Sequence, residues 1–586
     1  MSHVRPRFLR GFVTLAAAAS ALASIAIAQS PHNTAPDFGT HVLVFKPSMP
    51  AAEMQSKIDA VYAKQKDSEF GPGRYAFLLT PGEYHLHVPV GFYTQVAGLG
   101  ATPDAVHITG SLYSDASADN NNATTTFWRS AEGIHVTPTN HTLRWAVSQA
   151  VSFRRMHVEG DMALHQNGGW ASGGWMSDTV VDGNVDSGPQ QQWISRNSEW
   201  KSWTGANWNM VFVGVPHPPA GDWPKPSYTR IAATPVIREK PFLQVDAQGR
   251  WTVHVPALTH DTVGVSWRSG STPGHDLPLA DFYIAHPDND TAATINAALR
   301  TGKNLLLTPG IYNLTQPIRV QRKDTVVLGL GFATLRPTHG TEALILADVD
   351  GIIVSGLLFD AGPSLSPSLL RVGDHHTTLS HRDDPISLHD IFFRVGGAGV
   401  GKTTSNLLIE SNDVLVDHTW IWRADHGDNV GWDQNLSDNG LTVDGDDVTI
   451  YGLFVEHHQR YQVLWNGERG RTFFYQSEIP YDPPTQKIWN STHGTDGWAS
   501  YKVADSVHDH EAWGLGVYSV FTNPGVILSH AIEVPERPTV RFHHMVTVAL
   551  NDHGEIVHII NNTGDAATTK QPRVDPRLTD YPPASK

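Results

Sequence analysis

The chain has 586 residues, 58 acidic against 42 basic side chains, a formal net charge of −16, 18 tryptophans and no cysteine. That acidity makes it a poor partner for nucleic acid, and the missing cysteines exclude disulfides, thiolate metal sites and cysteine nucleophiles. Its length and 40% hydrophobic content allow sizeable cores.

The chain opens with Arg5, Arg7 and Arg10, a mostly apolar stretch at 12–27, and Ala26-Ile27-Ala28. This is the pattern of a secretory signal peptide over residues 1–28, too short and too alanine-rich for a permanent anchor. Its removal takes away three positive charges and leaves a more acidic mature chain, expected in the periplasm or the medium with no membrane attachment.

Helical stretches at 51–64 and 291–301 each lead into an apolar strand that Thr-Pro-Gly breaks. Leu78-Leu79-Thr80-Pro81-Gly82-Glu83-Tyr84 returns as Leu306-Leu307-Thr308-Pro309-Gly310-Ile311-Tyr312, an offset of 228 residues. Gly98-Leu99-Gly100 returns as Gly329-Leu330-Gly331, an offset of 231. Two ordered matches at nearly equal offset imply tandem copies of one architecture. Short β-rich pieces follow, as at 351–360, 413–422 and 447–456, each read as a strand, a polar turn and a second strand.

Strands of this kind without long helices between them point away from a βαβ fold and toward a solenoid. The expected fold is all-β: two tandem right-handed parallel β-helices packed side by side, with a cleft between them. The expected bounds are 37–215 for the first, 216–280 for an ordered proline-rich connector, 281–560 for the second, and 561–586 for a loosely held polar tail.

The densest chemistry lies at 456–482. Glu456 and Glu478 are 22 residues apart, about one coil, which places them on neighbouring rungs roughly 4.8 Å apart. Two carboxylates that close cannot both ionise freely, so one keeps its proton near neutral pH, as cleavage of a glycosidic bond requires. In the first half Gln149, Gln191 and Gln192 are amides that can hold a water without competing for its proton, although Gln149 equally fits an amide ladder inside the solenoid. Neither His418, Asp425, His426 and Asp428 nor Asp444-Gly445-Asp446-Asp447 matches a metal-site spacing, so no metal or other cofactor is expected. No nucleophile-elbow pattern supports Ser-His-Asp catalysis.

The tandem solenoids, Trp145-Ala146-Val147-Ser148-Gln149-Ala150, Gln191-Gln192-Trp193-Ile194-Ser195-Arg196-Asn197 and the paired glutamates resemble the family 55 glycoside hydrolases, over residues 37–533. These are exo-acting β-1,3-glucanases that fold as two β-helices with the catalytic cleft between them. The resemblance implies an inverting hydrolase that releases small sugars from a chain end. It also implies Glu478 as general acid, Glu456 as partner carboxylate, and Gln191 or Gln192 as holder of the nucleophilic water. Sugar contacts are expected from Gln149, Trp193, Trp422, His457, Trp465, Tyr475 and Tyr481, since flat rings stack on sugar faces. The Trp170–Trp175 motif and an insertion-like stretch at 200–208 depart from the family and are expected to line the cleft. The other readings are a lyase acting on a uronic-acid polymer and a non-catalytic carbohydrate-binding solenoid. The acidic chain, with only Arg460, Arg469 and Arg471 near the glutamates, weighs against the lyase. No self-complementary surface argues for an oligomer.

Overall fold

The computed structural model describes residues 36–374, 377–491, 494–569 and 574–583, so the signal-peptide reading at 1–28 lies outside the described residues. Two parallel solenoids stand side by side. In the first, a nine-stranded sheet running from Val42–Phe45 to Tyr228–Ile231 backs onto an eight-stranded sheet. In the second, a twelve-stranded sheet beginning at Phe282–Ala285 backs onto a nine-stranded sheet.

Each coil buries its apolar alternate residues in a continuous column, because side chains alternate across a strand. Val354, Leu388, Val416, Ile450, Thr472, Ala512 and Phe542 are in register from coil to coil, and all are buried. Each fully buried Val, Leu, Ile or Phe contributes about 1.5–3 kcal/mol. The column therefore stabilises every coil through its neighbours.

The pieces read as strand–turn–strand are single strands, Ile353–Asp360, Leu415–Arg423 and Thr449–Glu456. The expected turn is a bend at one residue of positive φ. Gly356, Asp390, His418, Gly452, Phe474, Gly514 and His544 all have it, at equivalent positions of successive coils. The bend changes strand direction without ending the ladder.

The repeated motif has one physical cause in both copies. Tyr84 Oη donates to the Phe45 and Thr80 carbonyls at 3.1 and 2.7 Å, and Tyr312 Oη donates to the Ala285 and Thr308 carbonyls at 2.7 and 3.1 Å. Gly82 and Gly310 have φ of 142° and 154°, and a Cβ on them would lie 2.2 and 2.4 Å from Pro47 and Pro287. Only glycine permits that approach. The preceding helices, Ala51–Gln65 and Ala292–Arg300, pack buried faces onto the first coils.

The connector forms antiparallel pairs, Thr234–Arg238 with Leu258–Thr262, and Phe242–Val245 with Trp251–Pro256 and Gly274–Pro278. Leu243, Val253 and Val255 share one apolar cluster with Leu78 and Leu99 of the first solenoid and Leu306 and Leu328 of the second.

Three expectations are corrected. The first solenoid runs on to Ile231, because Tyr228–Ile231 pairs in parallel with Asn209–Val213. The stretch at 200–208 is a coil rather than an insertion, since Glu199–Thr204 pairs with Val180–Asp186 and Trp200 and Trp203 fill the first core. The tail is not loose throughout, because Arg577–Tyr581 adds antiparallel to Val540–Ala549 and ends the long sheet.

Candidate active site

The nine-stranded sheet of the first solenoid faces the twelve-stranded sheet of the second. Aromatic rings fill much of the seam, with Trp128, Trp420 and Trp422 packed against Phe127 and Phe392. A buried ionic network occupies another part. Arg154 binds Asp390 and Asp417 at 2.8 and 2.7 Å, Arg196 binds Asp417 and Glu239 at 3.0 and 2.6 Å, and Lys240 binds Asp390 and Glu132 at 3.1 and 3.0 Å.

Glu456 lies at the same seam, 3% exposed, among neutral donors only. Gln149 of the first solenoid donates to its Oε1 at 2.8 Å, and Gln476 donates to the same oxygen at 2.7 Å. Trp420 Nε1 donates to its Oε2 at 2.8 Å. Burial pushes the carboxyl up to about 7, against the opposing pull of these hydrogen bonds.

Glu478 is in register with it. Phe454 pairs with Gln476, and His457 N donates to the Glu478 carbonyl at 2.8 Å, so the two glutamates stack on adjacent rungs as the one-coil spacing predicts. The Glu478 carboxylate accepts a hydrogen bond from the Tyr481 hydroxyl and is partly exposed. Burial, then the charges of Glu456 and Asp425, raise it well above the usual carboxylate range. Three N–H donors favour an ionised Glu456. Of the pair, Glu478 is the carboxyl that holds its proton.

Amides continue away from Glu456 into the first solenoid. Gln149 Nε2 and Gln192 Nε2 lie 3.3 and 3.5 Å from Ser172 Oγ, and Gln192 Nε2 donates to the Ser172 carbonyl at 2.9 Å. Gln192 Oε1 is buried without a partner among the described residues, as are Gln476 Oε1, Asn209 Oδ1 and Tyr518 Oη. Asn209 is the register neighbour of Gln192, and Tyr518 that of Glu478. Gln191 is partly exposed, and its backbone bonds Ala171, Trp208 and Asn209.

Of the expected sugar contacts, the structure brings Gln149, His457 and Tyr481 to the glutamates, with the His457 and Tyr481 rings 4.4 Å apart. Trp422 is adjacent in register to Glu456 but 1% exposed, sealed against Trp420 and Phe70. It builds the wall of the site and offers no free face. Trp193, Trp465 and Tyr475 are corrections. Trp193 lies in the first solenoid's core, and Trp465 and Tyr475 lie in the second's, all fully buried on inward-facing positions. Of the Trp170–Trp175 motif, Trp170 is exposed while Trp175 is buried and stacked on His418 at 5.2 Å.

Sequence reasoning missed Gln476 and Trp420. Strand alternation could have found both, since Gln476 is two residues from Glu478 and Trp420 two from Trp422, on the same face. Of the residues weighed as metal ligands, His418 lies inside the seam while Asp425 lies exposed in a bend. His418 is buried and bonds Asp390 at 2.8 Å. Asp425 is held down at about 2, because the His426 hydrogen bond and the His457 and His426 charges outweigh its burial. Arg460 and Arg469 pair with Asp438 and with Asp446 and Asp447, not with the glutamates. A groove of about 600 Å³ between connector and second solenoid contains Arg238, Lys303 and Arg322 but neither a glutamate nor a Trp, Tyr or Phe ring.

Two parallel solenoids with a stacked pair of differently protonated carboxyls and converging amides define a glycoside hydrolase on a pectate-lyase-like scaffold. Residues 282–478 match the LAM55 pectate lyase-like domain, a match that ends on Glu478. The chain belongs to glycoside hydrolase family 55. It is 48% identical over 533 residues to an exo-β-1,3-glucanase of Streptomyces sp. (strain SirexAA-E / ActE), covering 90% of this chain and 87% of that one. The solved structure of sacteLam55A from Streptomyces sp. SirexAA-E superposes with a TM-score of 0.91 at 46% identity, covering 93% of this chain and 99% of that one. A glutamate-to-alanine variant of sacteLam55A in complex with glucose gives the same TM-score and identity over 94% and 99%.

Proposed function

We propose that this chain hydrolyses β-1,3-glucan from a chain end, with inversion, and that it does so outside the cytoplasm after loss of residues 1–28. The observation that carries the mechanism is the stacking of the two glutamates on adjacent rungs, with three N–H donors on Glu456 and the Tyr481 hydroxyl on Glu478. Glu478 is protonated and partly exposed beside an ionised, amide-bound Glu456. A carboxylic acid in that state can protonate the departing glycosidic oxygen as the bond to the anomeric carbon breaks.

Inversion requires a water on the opposite face of the sugar ring. Inverting carboxyls ordinarily stand about 6.5–9.5 Å apart to admit it. Adjacent rungs bring this pair closer, so the water is held from the amide side, where Gln192 Oε1 and Asn209 Oδ1 can accept hydrogen bonds from it. Gln192 is favoured over Gln191 because its side chain is buried with a free acceptor. Glu456, whose Oε1 accepts from Gln149 and Gln476, is the carboxylate nearest to that amide chain, and it takes up the proton that the water loses as its oxygen bonds to the anomeric carbon. The glucose complex of sacteLam55A and the exo-β-1,3-glucanase relative support a glucan as substrate.

The test is release of reducing sugar from β-1,3-, β-1,4- and β-1,6-glucans by the mature protein and its Glu478→Gln variant, with the anomer of the first product followed by NMR. The expected result is α-glucose from the β-1,3-glucan, with kcat reduced roughly 10²–10⁴-fold in the variant. Turnover that survives the substitution would remove Glu478 from the acid role. Detection of a chain beginning near residue 29 in the periplasm or medium of the producing cell would support export, and an intact cytoplasmic chain would overturn it.

A further inference from the structure

The outward face of the first solenoid's eight-stranded sheet, turned away from the glutamates, carries a column of imidazoles. Glu83, His107, His135 and His157 are in register on four successive coils. The rings stack nearly parallel, with centroids 4.3 Å apart for His107 and His135 and 4.2 Å for His135 and His157.

The two edges of the stack differ. On the Nδ1 edge, Glu83 Oε2 lies 2.7 Å from His107, and Asp104 Oδ1 lies 2.6 Å from His157 and 3.6 Å from His135. Carboxylates on that edge accept from the Nδ1 atoms of His107 and His157 and leave each Nε2 directed to the other edge. There His135 Nε2 is buried with no hydrogen-bond partner among the described residues, 3.8 Å from Glu159 Oε2. His107 Nε2 lies 2.8 Å from Thr137 Oγ1, which donates to Glu159 at 2.5 Å. The potential ligand atoms of His107, His135 and Glu159 all fall within 4.8 Å of one another.

We propose that His107, His135 and Glu159 form a binding site for a divalent transition metal of the zinc type, with Glu83 and Asp104 as the carboxylates that orient the imidazoles. Two imidazoles and a carboxylate with one open position are a zinc donor set, and ligand atoms around zinc stand roughly 3.4 Å apart given metal–ligand bonds near 2.1 Å. The His135–Glu159 distance is close to that already, and a χ1 rotation of Thr137 frees His107 Nε2. A groove of about 400 Å³ that includes Thr137, Glu159 and Asp182 gives an ion its path and leaves room for water in the open position. Bound there, the ion would clip three consecutive coils together. Each histidine sits one coil from the next, so no local spacing in the sequence reveals the set.

The experiment uses untagged mature protein, stripped with EDTA, and titrates zinc chloride by calorimetry. One zinc per chain is expected with a Kd in the micromolar range or tighter, weakened at least about 10-fold in Glu159→Gln and in His135→Gln, with about a 10-fold loss in Glu83→Gln through its orienting role. Glu159 is exposed, so Glu159→Gln keeps the fold and its glucan hydrolysis should be unchanged. Zinc should raise the melting temperature of the wild type and not of Glu159→Gln. No binding at 100-fold excess over micromolar, or equal stoichiometry and affinity in Glu159→Gln, would overturn the site.

Discussion

Asp390 and Asp417 are as buried as Glu456, and all three look across the same seam at the first solenoid, yet their pKa values are pushed in opposite directions. Burial alone would raise all three. Asp417 faces Arg196 and Arg154 of the first solenoid, and Asp390 faces Arg154 with Lys240 of the connector, and these cations drive both carboxyls far below the usual range. Opposite Glu456 the first solenoid presents Gln149, a donor with no charge, and the carboxyl stays up at about 7. The identity of the facing residue, not the depth of burial, decides which carboxyls hold the solenoids together and which are left able to exchange a proton.

The largest effect should come from breaking the charged region. Asp417→Asn leaves two guanidiniums short of a buried counter-charge, which costs about 3–5 kcal/mol. The midpoint of guanidinium chloride unfolding should fall accordingly, while a change under about 1 kcal/mol would mean that the network carries no such load.

The two regions should also give stability opposite slopes in pH. Asp390 and Asp417, depressed in the fold, contribute stability that is present above the unfolded carboxylate range and is lost as pH falls through it. The glutamate pair is raised in the fold, so its contribution is complete below about pH 4.5 and is lost as pH rises toward 7 and beyond. Unfolding free energies at pH 5 and pH 8 should differ in that direction in the wild type, and the difference should shrink in the Glu456→Gln/Glu478→Gln double variant. An undiminished slope there would assign the decline to other groups.

The uncharged region was far more legible in the sequence than the charged one. Glu456 and Glu478 lie on consecutive coils with no insertion between them, so counting 22 residues was enough to stack them. The repeat of Thr-Pro-Gly followed one residue later by Tyr was visible because its tyrosine and glycine each meet a fixed backbone geometry in both copies. Tyr475 was misread as a cleft residue because an aromatic ring suits core and sugar equally. Alternation from Glu478 puts Gln476 outward and Tyr475 inward, and parity rather than residue type holds that information. The strand bends hid for a similar reason. His418 and Phe474 occupy positive φ that residue preference assigns to glycine, and only stacking beneath Asp390 and Gly452 fixes them. Arg154, Arg196, Asp390 and Asp417 carry no local pattern, since their meeting depends on how one solenoid lies against the other.

The sharpest test of the comparison transplants one region's chemistry into the other. Gln149→Lys keeps a donor beside Glu456 and adds the charge that Arg154 supplies to Asp390. An ammonium within reach of that carboxyl should lower the pKa of the pair by at least about one unit, so Glu478 loses its proton earlier and the alkaline limb of kcat/KM moves to lower pH. Gln149→Met removes the donor and adds no charge. With one fewer hydrogen bond to the ionised carboxylate, its limb should move to higher pH, by less than a unit, since such a bond contributes about 0.5–1.5 kcal/mol. Opposite shifts would tie the acid's charge state to the residue that the first solenoid turns toward it. Shifts of the same sign in both variants would mean that Gln149 acts on packing instead, and the contrast with the arginine-lined region would lose its cause.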